Sequence, residues 1–80
     1  MKKDALRQRL IKENIPAIFY SLDGGLPNEA YCLGFNGDVW EVYYSEKGQK
    51  TGLELFTDEE SACNYFYDLL TRTLKDMGLL

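Results

Sequence analysis

The dipeptide Asn36-Gly37 sits between two runs of strand-forming residues, AYCLGF (Ala30–Phe35) and VWEVYY (Val39–Tyr44). A two-residue type I′ turn needs positive φ at both central positions, and asparagine and glycine tolerate it best. The pair therefore commits the middle of the chain to antiparallel strands. Turn chemistry extends the pattern on both sides. DGGLPN (Asp23–Asn28) separates the second strand from an earlier run, AIFYSL (Ala17–Leu22). Glu46-Lys47-Gly48-Gln49 forms another turn ahead of GLELF (Gly52–Phe56). Helical periodicity brackets these strands. In Lys2–Glu13, Leu6 and Leu10 lie four apart, with Ala5 and Ile11 widening the stripe. Asn14 suits a left-handed cap and Pro16 forbids continuation. A second helix runs from about Asp58 to Met77, with Ala62, Phe66, Leu69, Leu70 and Met77 at helical spacing. Thr57 with Glu60 forms a capping box, and Gly78 fits the position after the last turn. The pattern predicts one α+β domain over residues 1–80. Its expected architecture is a four-stranded antiparallel meander with N-terminal and C-terminal helices, in the order α-β-β-β-β-α.

Register assigns the faces. A two-residue turn at Asn36-Gly37 sets Leu33 opposite Trp40 and Tyr31 opposite Val42. A turn centred on Lys47-Gly48 sets Trp40 opposite Leu55 and Val42 opposite Leu53. This large apolar face should pack beneath the helices, with Trp40 as a core residue. Tyr31, Tyr44 and one or two of Tyr65 and Tyr67 are expected to add core area with a wet hydroxyl tip. The other face collects Ala30, Cys32, Gly34, Val39, Glu41, Tyr43 and Glu54. Glu41 is expected directly across from Glu54, a repulsion of something under about 1 kcal/mol. A sheet face that tolerates it is suited to a partner, and Tyr43 beside the two carboxylates is a candidate anchor.

Composition narrows the chemistry. The chain has 80 residues and no histidine. Ser-His-Asp and Cys-His catalysis are excluded, as is any zinc site built on imidazole. Gly24-Gly25 lacks phosphate-loop spacing and reads as a turn. Cys32 and Cys63 form no CxxC and are expected to be packed thiols. No cofactor or metal is expected, and no enzymatic activity. No apolar run approaches the roughly 18 residues of a membrane span. Charges interrupt what would be the apolar part of a leader at the basic N-terminus, so a cytoplasmic location is expected.

The net charge of −4 is unevenly spread. Residues 1–16 carry Lys2, Lys3, Arg7, Arg9 and Lys12 against Asp4 and Glu13, a net +3; residues 17–80 carry −7. Such a field repels nucleic acid and steers a basic protein toward the surface. The expected docking site is the acidic sheet face with Glu41, Tyr43 and Glu54, together with Asp23, Glu29, Asp38 and Glu46 on the neighbouring loops. The chain is expected to be a monomer or weak dimer.

Three stretches carry a family resemblance: YSLDGGLPNEAYCL (Tyr20–Leu33), WEVYYSEKGQK (Trp40–Lys50) and FTDEESACNYF (Phe56–Phe66). They look like the small α+β immunity proteins of bacterial polymorphic toxin systems, and resemble in particular the immunity protein fifty-nine family. The segment Trp40–Glu46 is the most specific part. Such proteins are encoded beside a secreted toxin, including toxins of contact-dependent inhibition, and protect the producing cell by binding the toxin domain. Many of these toxins are nucleases with basic substrate grooves. The resemblance implies a non-enzymatic inhibitor whose partner is a cognate toxin domain. The residues alone also fit a small cytoplasmic adaptor or regulatory module that binds another protein.

Overall fold

The computed structural model describes every residue from Met1 to Leu80. Helix α1 spans Lys3–Lys12 and is followed by a short 3-10 turn at Ala17–Phe19. The strands are β1 (Tyr20–Ser21), β2 (Ala30–Phe35), β3 (Trp40–Glu46) and β4 (Gln49–Phe56), and helix α2 (Glu59–Asp76) closes the chain. The strands form one open sheet in the order β1-β2-β3-β4. No helix is long and apolar enough to cross a membrane.

The helix ends follow the sequence closely. Asn14 adopts φ 58°, and the Ile15 N–H donates to the Leu10 carbonyl at 3.0 Å. Gly78 repeats the device with φ 77° and a 2.8 Å bond from the Leu79 N–H to the Leu74 carbonyl. Both satisfy carbonyls that a helix C-terminus otherwise leaves unpaired. The start of α2 differs from expectation. Asp58, not Thr57, is the cap, and its carboxylate accepts from the Ser61 N–H at 2.8 Å. A full negative charge suits the positive end of the helix better than a hydroxyl. The helices are tied together at the other end of α1, where Arg9 lies 4.0 Å over the Tyr67 ring and the Tyr67 hydroxyl donates to Glu13 at 2.6 Å.

The sheet is not a fully antiparallel meander. β1 runs parallel to β2, with Tyr20 beside Tyr31 and Ser21 beside Cys32. The expected strand at Ala17–Leu22 shrinks to two residues because Pro16 opens a 3-10 turn, closed by the Phe19 N–H to the Pro16 carbonyl at 3.1 Å. Parallel neighbours usually need a crossover of a dozen or more residues. Here residues 22–29 suffice, because so short a strand leaves little distance to retrace.

The two hairpins depart from the expected registers in different ways. Phe35 pairs with Trp40, Leu33 with Val42 and Tyr31 with Tyr44, so the loop is Asn36–Val39 and not two residues. The Asn36 side-chain oxygen accepts from the Asp38 and Val39 N–H groups, both at 2.9 Å. That Asx turn widens the loop. The register moves by two, so the faces are unchanged. In the second hairpin Glu46 pairs with Gln49 and Tyr44 with Thr51, as expected, and then a bulge intervenes. Gly52, at φ 65°, and Leu53 together oppose Tyr43. Beyond them Val42 pairs with Glu54, Glu41 with Leu55 and Trp40 with Phe56. One extra residue exchanges the faces of the rest of β4. Phe56 turns inward, with its ring 5.1 Å from that of Tyr65. Leu53 and Leu55 turn outward and are 44% and 58% exposed. The expected core places of both leucines, and the opposition of Glu41 and Glu54, are therefore corrected.

The core lies between the sheet and the helices. Leu33 and Val42 meet Ala62, Cys63, Phe66, Leu70 and Leu74 of α2, joined by Leu6, Leu10, Ile15 and Leu22. Trp40 is half-buried at the margin, 5.0 Å from the Phe35 ring. It is a peripheral contact and not the centre of the core. Truncating fully buried Phe66 to alanine should cost about 3–5 kcal/mol, as aromatic core truncations do. Trp40→Ala should cost clearly less. Urea melts of both variants check the order; a larger loss at Trp40 would contradict this placement.

Candidate functional site

The face proposed from sequence as the docking surface is already occupied over β2 and β3. The Leu22–Glu29 connection crosses it as a strap. The Tyr43 hydroxyl donates to the Gly25 carbonyl at 2.7 Å, and the Ser45 hydroxyl donates to the Pro27 carbonyl at 2.6 Å. The Gly24 N–H donates to the Leu33 carbonyl at 2.9 Å. Strap and sheet touch backbone to backbone: a Cβ on Gly34 would stand 3.1 Å from the Gly24 Cα. Ala30, Cys32, Gly34, Tyr43 and Ser45 are all buried beneath it. Tyr43 does point to the expected face, but it is only 2% exposed and anchors the strap, not a partner.

The other expected site residues divide into two sets. Glu41 is bound at 2.9 Å by Lys50, whose ammonium also lies 4.7 Å over the Tyr43 ring. Asp23 holds Lys3 at 2.7 Å and Arg7 at 3.5 Å, and the lysine keeps its carboxyl below the usual range. Asp38 is exposed at the hairpin tip. These three are not brought together. Glu29, Glu46 and Glu54 are, on the helix side of the sheet.

There the sheet and the C-terminal half of α2 leave a groove. Two adjoining hollows, of about 330 Å³ and 380 Å³, share Tyr31 and Tyr44 as their floor. These cross-strand neighbours meet at a tilt of 53°, with ring centroids 4.8 Å apart. Phe19, Leu74 and Met77 wall the first hollow, and Tyr65 and Leu69 wall the second. Glu29 and Glu54 are the charged residues that line them. Glu46 shares the face of Tyr44 two residues along β3. Partial burial, followed by the charges of Glu29 and Glu46, raises the Tyr44 hydroxyl above its ordinary pKa. The site is thus an aromatic trough rimmed by carboxylates. Such a trough accepts a cation over the ring faces and apolar groups between them.

The sequence leads one to expect Tyr31 and Tyr44 as core area with a wet hydroxyl tip, and does not single out Tyr65, Leu69 and Met77 as the wall of a groove. Tyr31 and Tyr44 do share the core-facing side. They lie toward one end of the sheet, where the α2 side chains leave their rings half-covered. The spacing of Tyr65, Leu69 and Thr73, four apart on one helix side, was the available signal.

No protein-family model matches the chain, and no curated protein or solved structure matches it.

Burial of the Tyr43 phenol pushes its pKa up to about 12. The unfolded chain ionises near pH 10. The folded state therefore holds this proton more tightly, and the associated stability is intact below about pH 10 and lost as pH rises toward 12. Absorbance titration should show one tyrosine ionising last, together with unfolding, and Tyr43→Phe should remove that step. All six tyrosines ionising together in the ordinary range would contradict the closed strap.

Proposed function

We propose that this chain is an immunity protein that binds a cognate bacterial toxin domain, a basic nuclease, and neutralises it by protein–protein occlusion in the cytoplasm of the producing cell. The observation that carries the reading is the acid-rimmed aromatic groove on a chain whose residues 17–80 bear −7. A nuclease must hold phosphates, so its substrate groove is basic. A surface bearing Glu29, Glu46 and Glu54 complements that charge and accelerates encounter. Tyr31, Tyr44 and Tyr65 supply rigid aromatic area, the kind of surface on which binding energy concentrates. The resemblance of Tyr20–Leu33, Trp40–Lys50 and Phe56–Phe66 to immunity proteins points the same way. Inhibition by this route requires no turnover, only a tight complex.

The test is co-purification with the toxin domain encoded beside the gene, and rescue of cells that express it. The Glu29→Lys, Glu54→Lys double variant should slow association at low salt by about tenfold or more, with a smaller effect at high salt. Tyr44→Ala should act mainly on dissociation and cost about 2 kcal/mol. Circular dichroism checks that both variants fold. Wild-type rates for both variants would place the contact elsewhere. Failure to bind the neighbouring toxin, with binding to another cytoplasmic protein, would favour the adaptor reading.

A further inference from the structure

β4 is a sheet edge. It is hydrogen-bonded to β3 alone, and every residue from Gln49 to Leu55 is exposed. Its outer side therefore presents unpaired backbone N–H and C=O groups, a template for another strand. Natural edges are commonly blunted by prolines, outward lysines, very short strands, bulges or inward-pointing charges. β4 carries a bulge at Gly52 and an inward Glu54, but beyond the bulge Glu54, Leu55 and Phe56 pair regularly with β3 and leave a straight edge. β1, the opposite edge, is only two residues long. β4 is the longest strand and has no proline. Lys50, its one basic residue, is turned back onto Glu41. The Gly52 bulge also sets three neighbouring side chains in an alternating order. Leu53 and Leu55 stand on the outer face, while Glu54 stands on the helix side and lines the second hollow with Tyr44, Tyr65 and Leu69.

We propose that β4 receives an extended segment of a basic protein partner as a fifth strand. The segment pairs along Leu53–Phe56, with a lysine or arginine opposite Glu54 and apolar residues opposite Leu53 and Leu55. Opposed residues of paired strands share a face, so the cation enters the acid-lined hollow and its neighbours cover the leucines. Backbone bonds supply affinity and the apolar–basic–apolar alternation supplies selectivity. A second copy of this chain fits poorly. Two-fold antiparallel pairing with Leu53 across from Leu55 would set Glu54 against Glu54, like charges directly opposed. The inference rests on the proposed binding of a basic protein at the groove and specifies how the partner backbone approaches it.

The probes are short end-capped peptides with the central sequence Thr-Leu-Lys-Leu-Thr, a twin with glutamate for lysine, and a twin whose alternate backbone nitrogens are methylated. Binding to the full chain is read by amide chemical shifts and hydrogen exchange. The lysine peptide should slow exchange of β4 amides. Glu54→Lys and backbone methylation should each weaken it by about tenfold, the equivalent of 1.4 kcal/mol. Equal binding of the methylated peptide, still dependent on Glu54, would overturn strand addition while leaving the acidic groove in place. Equal binding of the glutamate twin, or no binding of the lysine peptide at millimolar concentration, would also overturn the proposal. So would a dimer of the free protein that protects β4.

Discussion

The hydrogen bond from the Tyr43 hydroxyl to the Gly25 carbonyl fastens the strap on which the rest of the arrangement depends. A four-stranded sheet with helices on one side has a second face to cover or to solvate. Here residues 22–29 cover its β2–β3 part, and Gly34 lets the strap lie directly on the sheet. Ser45 and the Gly24 N–H fix the strap at two further points. The short β1 is part of the same solution, since the chain must turn back early to cross that face. Cys32 is sealed beneath the strap, where burial raises its thiol pKa and favours the neutral form. With the β2–β3 part of that face covered, the recessed surface lies on the helix side, where α2 leaves the Tyr31–Tyr44 end of the sheet half-covered.

Much of this architecture was legible in the sequence, and the exceptions have identifiable causes. The two helices, their C-terminal caps at Asn14 and Gly78, and strand β2 lie where periodicity and turn chemistry put them. The face assignment of β2 and β3 also holds, because a register shift of two leaves side-chain directions unchanged. β4 broke the pattern. Gly52 read as an ordinary strand residue, but its positive φ admits an extra residue and exchanges every side chain beyond it. Alternation within GLELF could not reveal this, since leucine and phenylalanine are both plausible inward residues. The packing of Phe56 against Tyr65 decides between them. The strap was legible as a loop, but not as a cover, because its bonds to Tyr43 and Ser45 are separated by 18 positions in the chain.

The same features divide the acidic residues by role. Glu41, Asp23 and Tyr43 have structural duties, as partners of Lys50, of Lys3 and Arg7, and of the strap. Glu29, Glu46 and Glu54 retain the acidic character inferred for the docking surface, but they surround an aromatic groove and not a flat sheet. That arrangement combines long-range attraction at the rim with apolar area at the floor. The outward leucines of β4 continue the apolar surface around the sheet edge.

Hydrogen–deuterium exchange of the full chain, alone and bound to the toxin domain encoded beside its gene, distinguishes docking at the groove from docking on the strap. Binding at the groove should bring new protection in Glu29–Tyr31, Tyr44–Phe56 and Tyr65–Met77, with Asp23–Asn28 and Cys32 unchanged. New protection confined to Asp23–Asn28 and the Asn36–Val39 loop would contradict docking at the groove.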